Sequence, residues 1–247
     1  MKGKKVIFIA AGTVLALILI GIFVAAANLG TLIKHGVEEF GPKVTQTSIK
    51  LNSVSVSLFG GSAEMKGLLL GNPTGYKAPN ALEAERIAVR LSPGSLRSDK
   101  VVIQSIVVEG AQLHVEGSAS GNNFTKIQSN VEAFAGSAPP TDNKAAKKLQ
   151  VDELVLKNCK LHLSLGLLGG KTIATPLPDI RLTDLGQGPE GITPAELIKR
   201  VLGSMTGGIG SAAGQAIKDA AKDIGKGAAE SVDKATKGIK SLFKKKE

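Results

Sequence analysis

Two histidines and a cysteine are the side chains of this chain best suited to chemistry. His114 and His162 occupy equivalent positions in two similar segments, and Cys159 lies shortly before His162. Imidazole nitrogen and thiolate sulfur bind zinc, and a cysteine activated by a base acts as a nucleophile. These residues lack the close spacing of zinc ligands, and the sequence supplies no general base for the thiol. We therefore expect no metal centre, no cofactor and no enzyme; the third histidine, His35, lies apart in a helix.

Other signatures of chemistry are weak. The sequence contains no phosphate-binding loop and no nucleophile elbow. The glycine-rich stretch from Gly207 to Gly210 follows no strand, so it predicts an interruption in a helix. Asn123, Phe124 and Thr125 fit the glycosylation acceptor pattern, which is common by chance.

Alternating apolar and polar residues predict a mainly β domain over residues 44–183. The period of two indicates strands with one buried face, separated by Gly, Pro and Asn turns. The pattern favours antiparallel pairing, either in one curved sheet with a groove or in a small sandwich. Residues 136–148 form a loop or linker. The predicted strands are Val44–Phe59, Ala63–Leu70, Leu82–Leu91, Val101–Val108, Gln112–Glu116, Leu149–Leu156, Cys159–Leu165 and Thr172–Leu182.

Three segments have the spacing of helices. Residues 28–43 predict a helix that ends at Gly41-Pro42. Phe124 to Phe134 places apolar residues at steps of three and four. The third begins at Thr193, which is followed by Pro194 at the first helical position and an acid in the first turn.

An internal repeat joins two of the predicted strand pairs. Residues 103–115 align with residues 151–163, so that Gly110 matches Asn158 and His114 matches His162. Gly and Asn are the residues that best tolerate left-handed backbone. The repeat predicts stacked units within one sheet, with a weaker third copy starting at Leu51.

An unbroken apolar run, residues 6–27, precedes the β domain. It is long enough to cross a bilayer as a helix, and Lys2, Lys4 and Lys5 in the basic tip (residues 1–5) favour a cytoplasmic N-terminus. We expect an uncleaved anchor in the cytoplasmic membrane, with the body on the periplasmic side. A cleaved signal ending near the small residues 25–27 is the alternative.

The amino-acid composition indicates which class of molecule this chain binds. The net charge is +10, aromatic residues make up 3%, and there is no Trp. A basic exported chain without stacking aromatics is better suited to anionic lipid than to nucleic acid. One cysteine cannot form an internal disulfide.

The C-terminal part, residues 184–247, is rich in Ala, Gly and Lys. An apolar stripe over residues 217–242 predicts an amphipathic helix, on a membrane or on a partner, with a solvated tail as the alternative. Its candidate membrane-surface residues are Leu242, Phe243, Lys244, Lys245 and Lys246.

Three stretches of the β domain resemble AsmA-like proteins. They are residues 66–76, with the turn motif Asn72, Pro73 and Gly75, residues 84–89 and residues 100–110. The resemblance implies a membrane-anchored periplasmic β-groove that handles phospholipid and supports outer-membrane biogenesis. The lipid-facing candidates are Val54, Val56, Ile87, Val89, Ile103, Val107 and Leu154. The alternative is a scaffold module that binds another envelope protein, in which the same apolar residues form a closed core.

Overall fold

The computed structural model describes residues 28–58, 60–118, 121–137, 147–165 and 172–222. Residues 28–45 form helix α1, and Pro93–Arg97 form a 3₁₀ helix. The other helices are α2 (Asn123–Ser137) and α3 (Pro194–Lys222). The strands are β1 (Ile49–Lys50), β2 (Ser53–Ser57), β3 (Ser62–Gly71), β4 (Asn80–Leu91), β5 (Lys100–Glu109), β6 (Gln112–Ser118), β7 (Gly121–Asn122), β8 (Lys148–Lys157), β9 (Cys159–Leu165), β10 (Thr172–Leu177) and β11 (Ile180–Leu185).

All of these strands belong to one sheet, and the protein is mainly β, as predicted. Ten of these strands form six lines, of which four are split in two, and β7 pairs antiparallel with the end of β6. β5 pairs with the second half of β4, and β6 pairs with its first half, so β5 and β6 follow one another along one line. In the same way, β2 and β1 form one line beside β3, and β8 and β9 form one line beside β5/β6. β11 and β10 form the next line, beside β8/β9. β5 and β6, which were predicted to form a strand pair around Gly110, are therefore one bent line. The described residues form an open sheet.

The sheet is mixed, so the prediction of antiparallel pairing is wrong in part. β5 pairs with β8 in parallel, and β6 pairs with β9 in parallel. The stretch between β6 and β8 includes α2, and such a crossover returns the chain in the original direction. The alternation of residues is the same for both kinds of pairing, so the sequence pattern alone could not distinguish them.

The parallel pairing brings the two copies of the internal repeat into register. Ile103 lies opposite Val151, and His114 lies opposite His162. The strands therefore pair at the same offset at which the two repeat segments align in sequence. Gly110 and Asn158 both have positive φ, at 67° and 54°, and each marks the bend in its line. The two copies therefore stack side by side, as the repeat predicts. The weaker third copy does not join this stack, because β2 pairs antiparallel with β3.

Helix α1 runs along the edge of the sheet formed by β1 and β2. The Glu38 carboxylate accepts a hydrogen bond of 2.8 Å from the Leu51 N–H, and Lys34 Nζ donates to the Asn52 carbonyl at 3.3 Å. A Cβ atom on Gly30 would lie 2.1 Å from the Val54 carbonyl oxygen, so only glycine allows this approach. The helix continues past Gly41-Pro42 to residue 45. Side chains of α1 thus satisfy part of an otherwise unpaired strand edge.

Helices α2 and α3 pack against one another and cover part of one face of the sheet. Both begin with reciprocal caps. Thr125 N–H donates to Asn122 Oδ1, and Glu196 N–H donates to Thr193 Oγ1, while the Glu196 carboxylate accepts from the Thr193 N–H. Apolar residues on their inward sides enter the core: Phe124, Ile127 and Val131 from α2, and Leu202, Met205, Ile209 and Ile217 from α3.

The predicted interruption at Gly207–Gly210 is wrong, because α3 continues unbroken to Lys222. Ile209 is fully buried, and Gly208 lies against the side chain of Ile180. Packing of the helix on the sheet therefore outweighs the weak helix propensity of glycine. Within the described ranges no helix is long and apolar enough to cross a bilayer, and the predicted anchor over residues 6–27 lies outside them.

Candidate functional site

One face of the sheet carries three successive rows of apolar side chains. Residues paired directly across strands point to the same face, so the register identifies the rows. The first row is Val54, Met65, Ile87, Val108, Leu156 and Ile180. The second row is Val56, Ala63, Val89, Ile106, Leu154 and Leu182. The third row is Leu91, Ile103, Val151 and Leu185. We call this side of the sheet the inner face.

The rows are buried under a helix at one end and are more exposed at the other. Helix α3 packs near β10 and β11, and Leu154, Leu156 and Ile180 are less than 9% exposed there. Toward the α1 edge the same rows are half-buried, apart from Ile87, which is buried. We call this part the open half; it consists of Val54, Val56, Met65, Val89, Ile103, Ile106 and Val108. An apolar sheet surface about 15 Å wide, at ~4.8 Å per strand, is thus partly accessible.

The structure brings together six of the seven predicted lipid-facing residues on the inner face: Val54, Val56, Ile87, Val89, Ile103 and Leu154. The seventh, Val107, lies on the opposite face, between Ala88 and Val155. Strict alternation would put Ile103 and Val107 on one side. The register shifts where Arg90 pairs with Ser105 and Leu91 pairs with Ile103, so Gln104 is an extra residue. This bulge turns Ile103 to the inner face and leaves Val107 outside.

The predicted turn motif is held by a buried polar network. Asn72 Nδ2 donates to the Ala78 carbonyl at 2.8 Å, and Gly75 has a φ of 100°. Asn123 is fully buried, and its Nδ2 donates both to Asn72 Oδ1 and to the His114 carbonyl at 2.6 Å. Glu116 accepts from the Lys77 N–H at 2.8 Å.

Asn123 and Glu116 were not singled out by the sequence, in which Asn123 fits only a glycosylation pattern. Burial and its hydrogen bonds leave Asn123 no room for a glycan in the folded chain. The signal that points to its real role is its place at the start of a predicted helix, directly after a turn. The network fixes the Asn72–Asn80 loop to α2 and β6, so the turn motif has a structural role.

The two histidines stack on the face opposite to the apolar rows. Their ring centroids lie 4.9 Å apart with an interplanar angle of 13°. His162 Nε2 lies 2.9 Å from Gln112 Oε1, and His114 Nε2 lies 3.8 Å from Glu83 Oε1. Burial lowers the pKa of His162, and His114 and Lys160 lower it further. Among the described residues no group of three His, Cys, Asp or Glu side chains is placed to hold a metal ion.

Cys159 lies apart from the histidines, in the core. Its side chain is 3% exposed, and burial raises the pKa of its thiol. A buried thiol with a raised pKa is a poor nucleophile at neutral pH. The structure therefore gives Cys159 a packing role, while the membrane-surface candidates Leu242 to Lys246 lie outside the described residues.

Comparison with protein-family models, with curated proteins and with solved structures found no match to this chain.

Proposed function

We propose that this chain is a non-enzymatic, membrane-anchored lipid-binding protein whose open half shelters acyl chains. The observation that carries the proposal is the set of three apolar rows that continue from the covered core into a half-buried surface. Exposed contiguous apolar surface of this kind marks a binding site.

The chemistry of the surface favours acyl chains over a polar ligand. The side chains of the open half are aliphatic apart from the thioether of Met65. Each buried methylene of a bound chain contributes about 0.8 kcal/mol, so contact with a few methylenes gives useful affinity. Within the described residues, the three apolar rows contain no side-chain donor or acceptor to orient a polar group, which makes a reaction on this surface unfavourable.

The location in the envelope belongs to the same proposal. An anchor over residues 6–27 would tether the domain to the cytoplasmic membrane, with α1 following directly. The resemblance to AsmA-like proteins agrees with this arrangement, and it stays a prediction.

A pair of adjacent residues on opposite faces tests the proposal. Ile106 lies in the open half, and Val107 lies on the outer side of the same strand; both are half-buried. The full chain would be expressed in membranes containing a photoactivatable phospholipid, and captured lipid would be measured for Ile106→Asp and Val107→Asp. Thermal melts report whether each variant is folded.

We expect Ile106→Asp to fold and to lose capture about tenfold or more, because a charge removes the gain from burying an aliphatic contact. Val107→Asp should keep capture. Leu156→Asp, at a position 2% exposed, should unfold the domain. Absence of capture by the natural chain, or unfolding of every variant that loses capture, would refute the proposal and favour the closed core of a scaffold module.

A further inference from the structure

The face opposite to the apolar rows, which we call the outer face, contains a depression of about 460 Å³. It lies over β2, β3, β4 and β5. Arg90 lines it, in a cross-strand row with three hydroxyls: Ser57 lies opposite Ser62, Ser62 opposite Arg90, and Arg90 opposite Ser105. The volume is within the range of small-molecule sites.

The depression exists because the residue between its two arginines is small. Arg86, Ala88 and Arg90 alternate along β4 and point to the same face. The methyl group of Ala88 leaves space that two longer side chains border. Ser62 and Ser105 flank Arg90 on the neighbouring strands at the usual cross-strand distance of about 5 Å.

Arg90 has no counter-ion in the described part of the chain, because the neighbouring carboxylates pair with other cations. Glu64 Oε2 lies 2.6 Å from Arg86 Nε, and its Oε1 lies 3.0 Å from Lys66 Nζ. These cations lower the pKa of Glu64, with Arg86 the larger cause. Glu153, next to Ser105 in the row, pairs with Arg181.

We propose that this depression binds a phosphate group through Arg90, with a hydroxyl of one of its two cross-strand neighbours, Ser62 or Ser105, beside it. A guanidinium presents several N–H donors in a planar fork that matches two oxygens of a phosphate. A neighbouring serine hydroxyl adds a donor for a third phosphate oxygen, which a two-oxygen carboxylate would leave unused. Because the site lies on the outer face, it does not rest on the lipid-binding role of the inner face.

Equilibrium dialysis of the full chain with radiolabelled inorganic phosphate tests the site, in an uncharged detergent at fixed ionic strength. The variants are Arg90→Gln, Arg90→Lys and Arg97→Gln. Arg97 lies in the 3₁₀ helix and does not line the depression. Arg90→Gln and Arg97→Gln remove the same charge, so they separate a specific site from general attraction. Arg90 is exposed, so its variants should melt like the natural chain.

We expect one saturable site per chain. Arg90→Gln should raise the dissociation constant roughly tenfold or more, the value of a charge-assisted hydrogen-bond pair, and Arg97→Gln should leave it nearly unchanged. Arg90→Lys should bind with intermediate affinity, because it keeps the charge without the fork. Absence of saturable binding, or equal losses in Arg90→Gln and Arg97→Gln, would overturn the proposal.

Competition identifies the source of the phosphate. Glycerol 3-phosphate represents soluble phosphate monoesters, and dihexanoyl phosphatidylglycerol, used below its micelle concentration, represents a lipid headgroup. The competitor that displaces labelled phosphate at the lower concentration identifies the source, and either result supports the site.

Discussion

At the scale of single residues, the stacked histidines link the fold to pH. The two imidazoles face each other because equivalent repeat positions lie side by side in parallel strands. Burial, His114 and Lys160 all favour the neutral form of His162 and lower its pKa from the ordinary value of 6.5. The unfolded chain thus binds a proton at a higher pH than the folded chain does, so the free energy of unfolding should decrease as pH falls below about 6.5.

Replacement of His162 by Gln should weaken this pH dependence. The variant removes the titrating ring that the fold keeps neutral, while a side chain remains that can hydrogen-bond to Gln112. Urea unfolding at pH 7.5 and pH 5.0 measures the effect as the difference in the free energy of unfolding. The control is His35→Gln, since His35 is exposed on α1. An unchanged difference for His162→Gln would contradict the assignment.

Residue-level prediction from sequence was correct where alternation is regular and wrong where a bulge interrupts it. Val54 and Val56 on β2, and Ile87 and Val89 on β4, lie on the inner face as expected. No bulge lies between the two residues of either strand. Val107 was misplaced because the extra residue at Gln104 has no sequence signal of its own. The role of Asn123 was missed because its side-chain partner Asn72 lies 51 residues away in sequence.

At the scale of elements, α3 shows how a sheet can stabilise a glycine-rich helix. Gly207 is exposed, and a Cβ atom there would meet nothing within 4 Å. A Cβ atom on Gly208 would lie 3.0 Å from Ile180 Cδ1. Gly207 therefore only lowers helix stability through its backbone entropy. Gly208 has the same cost, but it also allows α3 to pack closely on β11.

Gly207→Ala should stabilise the protein by about 0.5–1 kcal/mol, because alanine loses less backbone entropy in a helix. Gly208→Ala should give a smaller gain or none, since Ile180 must move by a few tenths of an ångström. Gly208→Val should destabilise through overpacking. Urea titrations of the three variants measure the changes. A loss of stability in Gly207→Ala would show that this stretch has another constraint.

Most strands were predicted to within a few residues, because turns of Gly, Pro and Asn separate regular alternation. The predictions of single strands over Val44–Phe59 and Thr172–Leu182 were wrong, since each of these segments contains two strands, β1 and β2 in the first and β10 and β11 in the second. Three features of the elements could not be predicted. Parallel pairing requires knowledge of the crossover at α2. The helical state of residues 44–45 and of Gly207–Gly210 depends on tertiary contacts, which outweigh local propensity.

At the scale of the whole molecule, the described core depends on α3. Leu202, Met205, Ile209 and Ile217 are nearly fully buried, and the helix covers the ends of the apolar rows. Each such side chain contributes about 1.5–3 kcal/mol of burial, so together they match a typical total stability of about 5–15 kcal/mol.

Two truncations test this dependence. A chain that ends at Thr193 should lose its cooperative unfolding transition, because the rows on β8 and β11 lose their cover. A chain that ends at Lys222 is the control, because it keeps the whole of α3 with its buried side chains. Circular dichroism during thermal unfolding compares the two. Retention of a normal transition by the chain ending at Thr193 would show that the sheet is stable without the helix.

The in-register stacking of the two repeat copies makes the sheet resemble a short polymer with end groups. β5/β6 and β8/β9 are the equivalent repeat units, paired at the same offset along their length. The β11/β10 line runs in the opposite direction and ends the series on one side, and β4, which is also antiparallel, ends it on the other. A tandem duplication of one unit would therefore widen the apolar face by one strand spacing, ~4.8 Å, without any change to either end. The width available to a ligand would then be set by the number of copies in the gene.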